Sequence, residues 1–117
     1  MKQLVFSLRC ACAGFYRAVQ RDRNMRNHLA VTALVVSWGA VLRLPAAHWL
    51  WIALAITLVF VTELLNTSLE VVVDLVSPGH HPLAGQAKDI AAGAVLVASG
   101  FAVLVGIIIL GPSLWQT

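Results

Sequence analysis

The stretch ELLNTSLEVVVD, residues 63–74, carries three carboxylates and an amide in an otherwise apolar run. At about 100° per residue, Glu63, Asn66, Glu70 and Asp74 fall within an arc of roughly 80°, so a helix presents them as one polar face. Two kinds of chemistry suit such a face. It can relay protons or cations, or it can hold Mg²⁺ and a nucleotide phosphate, because Mg²⁺ is commonly bound by one or two carboxylates together with substrate phosphates. Phosphoryl transfer needs in addition a base near the attacking hydroxyl and a cation near the transferred phosphate. Asn66 offers an amide that both donates and accepts, and Lys88 offers the cation. A proton wire needs neither, which favours phosphoryl transfer over conduction.

The setting of these residues is a membrane. The chain has 117 residues, of which 60% are hydrophobic and 11% charged, with mean hydropathy +0.86; ordinary soluble domains carry about 25% charged residues. One small integral membrane domain over residues 1–117 accounts for this. An acid at mid-membrane costs about 2.5 to 3.5 kcal/mol on insertion scales, so three on one helix face demand compensation. A bundle-lining face held by interhelical hydrogen bonds is the purely structural alternative.

Three spans and one surface helix position the face. Residues 4–23 are amphipathic: Leu4, Leu8, Ala11, Phe15 and Val19 share one side, Arg17, Gln20 and Arg21 the other, the pattern of a helix lying on a membrane. Spans follow at about 28–42, 48–73 and 90–110, the last without a charge over roughly the length that a hydrocarbon core of about 30 Å requires. A short turn with Pro45 joins the first two. A longer polar loop, SPGHHPLAGQAK (77–88), joins the second and third. The expected architecture is therefore all-α: three transmembrane helices plus an N-terminal amphipathic surface helix.

The charge is +3. Lys2, Arg9, Arg17, Arg21, Arg23 and Arg26 gather at the N-terminal end, which marks that end as cytoplasmic and as facing anionic headgroups. The interleaved apolar residues argue against a nucleic-acid arm. Trp49, Trp51 and Trp115 then lie at the outer interface, where aromatic residues gather. Counting from Trp49 at about 1.5 Å per residue, Glu63 is roughly 21 Å deep and Glu70 about 32 Å along, so the polar face descends to the cytoplasmic surface. Asp22 and Asp89 fall at that same edge, and the outer side has no acid. Cys10 and Cys12 lack companions for a disulfide or metal site. His80 and His81 are adjacent loop histidines. The sequence has no G-x-x-x-x-G-K-[ST] loop, so a nucleotide site must be built otherwise.

The pattern E-x-x-N-[TS]-x-x-E-x-x-x-D, followed by S-P-x-x-H-P-L and A-K-D-x-x-A-A-x-A-V, resembles the prokaryotic diacylglycerol kinase family. Here it reads ELLNTSLEVVVDLVSPGHHPLAGQAKDIAAGAVLVAS, residues 63–99, and DRNMRNH (22–28) resembles the family's E-x-N-x-R-x-[EH] element. The resemblance implies an integral lipid kinase of the bacterial cytoplasmic membrane, using ATP and Mg²⁺ on a membrane lipid alcohol, assembled as a homotrimer with sites between chains. It implies Glu63 as general base, Asn66 as the residue orienting the base or the phosphate, Glu70 and Asp22 as metal ligands, and Lys88 as stabiliser of the transferred phosphoryl group. Asp74, His81 and Asp89, with Lys88, fall at nucleotide-side positions, and Arg26 matches a motif arginine that holds the surface helix. Asp22 replaces the more usual Glu, a shorter reach to a metal. Gly79 stands where some members have an acid. His28 and the S-P-x-x-H-P loop are more similar to the branch acting on undecaprenol than to the branch acting on diacylglycerol. The competing reading remains a small proton or cation conductor built from the same carboxylates.

Overall fold

The computed structural model describes residues 1–116. Five helices follow in chain order: α1 (Lys2–Arg21), α2 (Arg23–Leu42), α3 (Ala46–Val76), α4 (Pro82–Leu110) and the short α5 (Pro112–Trp115). No strand occurs among the described residues, so the all-helical expectation holds.

Asp22 separates α1 from α2. It takes an extended conformation and its Oδ1 accepts the Asn24 N–H at 2.9 Å, capping α2 in the way an Asp N-cap satisfies an otherwise unpaired donor. Across the same corner, Arg26 Nη1 donates to Val19 O at 2.8 Å and to Gln20 O at 2.9 Å. These carbonyls lie in the last turn of α1, where intrahelical partners run out and the helix dipole favours a cation. The holding role implied for Arg26 thus has a geometry.

α2 and α3 are joined by a tight turn. Arg43 takes the left-handed conformation, φ 54° and ψ 53°, and Pro45 precedes the first helical residue of α3. Gly39 sits beneath this turn, where an added Cβ would lie 2.8 Å from Trp49 Cη2 and 3.0 Å from Leu44 Cδ1. Helix α4 begins eight residues before the expected span, at Pro82, so the connection from α3 is only 77–81 and not 77–88. The reason is local: Pro82 suits the first helical position, and His81 Nδ1 accepts the Leu83 N–H at 3.1 Å as N-cap. Polarity in residues 84–88 excludes them from hydrocarbon but does not unwind them.

Helices α3 and α4 form the closest pair, with α1 and α2 leaning on it more lightly. A small core of Ile52, Ala55 and Val105 lies near the α2–α3 turn, backed by Val35, Leu44, Trp49 and Phe101. Elsewhere large apolar side chains face outward, among them Leu50, Leu54, Leu58 and Leu65 on α3 and Leu96, Val97, Leu104 and Ile108 on α4. Apolar surface on this scale is foreign to a water-soluble monomer. Both α3 and α4 are long and apolar enough to cross a membrane. Helix α2, with Arg23 and Arg26 in its first turn, does not pass that test among the described residues.

Candidate functional site

The polar face of α3 passes from interior to surface as the helix proceeds. Glu63 is fully buried at 0% exposure and Asn66 is 8% exposed; Glu70 is half-buried and Asp74 exposed. The spacing alone foretold a shared face, and burial now divides it into two groups.

The inner group surrounds Glu63. From α2, His28 brings Nε2 to 3.3 Å from Glu63 Oε2. From the α1–α2 corner, Asp22 faces the same carboxyl, and Asp22 Oδ2 accepts the Thr67 hydroxyl at 3.1 Å. Partial burial alone would raise the Asp22 carboxyl. The adjacent Glu63 side chain, the Asn24 N–H and the Thr67 hydroxyl outweigh it and hold Asp22 below the ordinary carboxylate range. Glu70, two turns along α3, adds its charge to the surroundings of Glu63. Among the described residues, Glu63 Oε1 and Asn66 Oδ1 are buried without a hydrogen-bond partner. Buried polar atoms are seldom left so, and these two lie one turn apart on α3.

The second group is exposed. Asp74 Oδ1 accepts Lys88 Nζ at 2.8 Å, and Asp74 Oδ2 accepts Arg21 Nη2 at 3.3 Å, tying the ends of α1 and α3 to the start of α4. Lys88 is therefore not brought to Glu63 within one chain: its partner lies about 16 Å further along α3. Asp89 is exposed and makes no ion pair among the described residues. His81 is occupied in capping α4 and lines a cleft of about 460 Å³ with Val72, Val76 and Ala87.

No group of three metal-ligating side chains converges among the described residues. Asp22 and Glu70 nevertheless flank Glu63 with hard oxygen donors, the type that suits Mg²⁺ when phosphates and water complete its shell. Asp22 already spends one lone pair on each oxygen, in the cap and on Thr67, and retains others.

A second cleft, of about 330 Å³, runs between α2, α3 and α4, from His28 through Thr32, Ala55 and Val59 to Leu110. Its lining is almost wholly apolar, and its polar end is the histidine that touches Glu63.

Sequence reasoning missed three participants. Thr67 was legible, since it follows Glu63 by four residues and shares its face. Arg21 was assigned to the polar side of the surface helix and to the basic N-terminal cluster, not to Asp74. His28 carried no local signal for contact with Glu63, because the two lie 35 positions apart.

Comparison with known proteins gives this geometry its context. The sequence model of the family described as prokaryotic diacylglycerol kinase matches residues 9–110. A protein of Bacillus subtilis (strain 168) named undecaprenol kinase is 40% identical over 101 residues, covering 86% of this chain and 82% of its own. A diacylglycerol kinase of Synechocystis sp. is 46% identical over 112 residues, covering 95% of this chain and 64% of its own. The diacylglycerol kinase of Escherichia coli (strain K12) is 41% identical over 56 residues, 48% of this chain and 46% of its own. With most of its length matched and the polar cluster built on the matched helices, the chain belongs to the prokaryotic diacylglycerol kinase family, whose named members are lipid kinases.

Proposed function

We propose that this protein transfers the γ-phosphate of ATP to the hydroxyl of a membrane lipid alcohol at the cytoplasmic face of a bacterial inner membrane. The observation that carries the reading is Glu63: a carboxyl fully buried in an apolar helix, one oxygen unpartnered, beside the polar end of an apolar cleft. A lipid alcohol has that same division, a hydrocarbon body with one hydroxyl. The cleft suits the body, and Glu63 Oε1 suits the hydroxyl proton.

Roles follow from placement. Glu63 takes the hydroxyl proton as the oxygen attacks the γ-phosphorus and the bond to the β-phosphate oxygen breaks, giving lipid phosphate and ADP. Asn66 Oδ1, unpartnered one turn on, holds a nearby donor or orients the base. Asp22 and Glu70 would hold Mg²⁺, whose charge neutralises the phosphate oxygens when bound. Lys88 serves the phosphates, with Asp74, Asp89 and His81 on the nucleotide side. Since Lys88 lies far from Glu63 within one chain, the reading is best served by a homotrimer in which one copy's Lys88 approaches another's Glu63. α2 completes three membrane crossings, and α1 lies on the cytoplasmic surface with its arginines in the headgroups.

Undecaprenol is favoured over diacylglycerol, supported by His28, the S-P-x-x-H-P loop and the likeness to the Bacillus subtilis undecaprenol kinase. The competing ion pathway would need polar groups to continue through the other half of α3, where the buried residues are Ile52, Ala55 and Val59.

The test is a labelled-ATP assay of the purified protein in detergent or bilayer, with undecaprenol and diacylglycerol side by side. Mg²⁺-dependent label transfer is expected, lost by about 10²–10⁴-fold in Glu63→Gln with helical circular dichroism retained. Nucleotide-independent ion flux in liposomes, without label transfer, would establish the conductor instead.

A further inference from the structure

His28 has no role in the chemistry described above, yet its side chain both meets the Glu63 carboxyl and lines the apolar cleft. Resting on the lipid-kinase reading of Glu63, we infer that His28 is a positioning residue that clamps Oε2 of the base and thereby points Oε1 at a hydroxyl arriving along the cleft.

Three observations converge on this. The contact is specific to one oxygen: Nε2 lies 3.3 Å from Oε2, while Oε1 is buried and unpartnered. A carboxylate able to accept a proton is itself acceptor-only, so the shared hydrogen belongs to the imidazole, and Nε2–H donates to Oε2. The separation is that of a loose hydrogen bond, as is common before substrate tightens a catalytic site. The imidazole is also held from behind. Its ring meets Phe60 edge-on, centroids 6.4 Å apart, and Phe60 in turn meets Phe15 of α1 at 6.0 Å. The histidine thus has a backstop on α3 and, through it, on the surface helix. Finally, His28 is the titratable end of a lining made, apart from Thr32 and Ser99, of apolar residues such as Val31, Val35 and Val59. A hydroxyl at the end of a hydrocarbon chain in that cleft arrives at the imidazole and the carboxylate together.

An orienting group acts on the geometry of attack, not on nucleotide capture. His28→Ala is therefore expected to lower kcat for lipid phosphorylation by about 10- to 100-fold, the scale of a misplaced reacting group, with KM for ATP unchanged. His28→Gln and His28→Asn separate positioning from mere filling. The Gln amide nitrogen stands three bonds from Cβ, as Nε2 does, and restores most of kcat. The Asn amide nitrogen stands two bonds out, as Nδ1 does, and leaves kcat near the Ala value. Phe60→Leu, which removes the backstop, lowers kcat in the same direction by less.

The inference is overturned if His28→Ala keeps wild-type kcat, if Gln and Asn are equally poor, or if the loss appears as a raised KM for ATP. Running Glu63→Gln in parallel distinguishes the two levels of failure. A wild-type enzyme that transfers label, a dead Glu63→Gln and an unaffected His28→Ala would sink the inference alone. A wild-type protein that phosphorylates neither lipid would sink it together with the lipid-kinase reading.

Discussion

A carboxylate with two oxygens can be half committed and half free, and Glu63 is in that condition: Oε2 is engaged by His28, Oε1 by nothing among the described residues. The exposed group shows the opposite state, with both Asp74 oxygens taken by cations from different helices. Exposed pairs contribute little to stability, so Lys88 can leave Asp74 at small cost, as its proposed role on a phosphate requires. Lys88→Ala is expected to reduce kcat/KM for ATP by about 10²–10³-fold while leaving the melting temperature nearly unchanged. Steady-state kinetics beside thermal unfolding in detergent checks both halves. The sequence made the common face of Glu63, Asn66, Glu70 and Asp74 legible, because it depends only on helical periodicity. The division of that face into a buried and an exposed group depends on where α1, α2 and α4 lie against it, and periodicity carries no such information. The attachment of Lys88 to Asp74 was not legible, because it depends on how α4 meets the end of α3.

At the scale of elements, the corners hold the arrangement together. The α1–α2 corner combines the Asp22 cap with the two hydrogen bonds from Arg26. Arg26→Ala removes a charged donor from two terminal carbonyls, a loss of about 1–2 kcal/mol after allowance for exposure. It is expected to speed hydrogen exchange over residues 2–21 while α3 and α4 keep their protection, which mass spectrometry of the solubilised protein would read. The α2–α3 turn carries the opposite kind of local feature. Arg43 adopts a left-handed conformation that glycine takes without steric penalty, so Arg43→Gly is expected to stabilise by about 0.5–1 kcal/mol, seen as a raised thermal midpoint. The sequence marked these helices through apolar runs and through Asp22 and Pro45. It failed at the start of α4, because polar residues after Pro82 were read as loop when their polarity only reports water. The short α5 was also missed: Gly111 permits it because a Cβ there would strike the Ile107 carbonyl and lie 2.7 Å from the Trp115 ring, a packing fact with no local pattern.

For the molecule as a whole, the outward-facing apolar side chains of α3 and α4 suit a hydrocarbon environment, and the proposed orientation places the basic α1 on the cytoplasmic side. The chain's own cysteines test the second point. Cys10 and Cys12 are exposed on α1, so a membrane-impermeant thiol reagent is expected to label inside-out vesicles and to spare right-side-out ones; the reverse pattern would invert the topology. The membrane class was legible from composition. Length has one more effect. Helix α3 contains 31 residues and α4 contains 29, about 46 and 44 Å at the usual rise, against a hydrocarbon layer of about 30 Å. Helices longer than the layer tilt or protrude, and the acidic residues of α3 all lie in its C-terminal half. Reactive groups mounted on a rigid post have a fixed elevation, unlike groups carried on a pliant lid. On the proposed reading, a membrane thickened or thinned by its own acyl composition would raise or lower the lipid head relative to Glu63, making the membrane's physical state a tuning screw on the reaction.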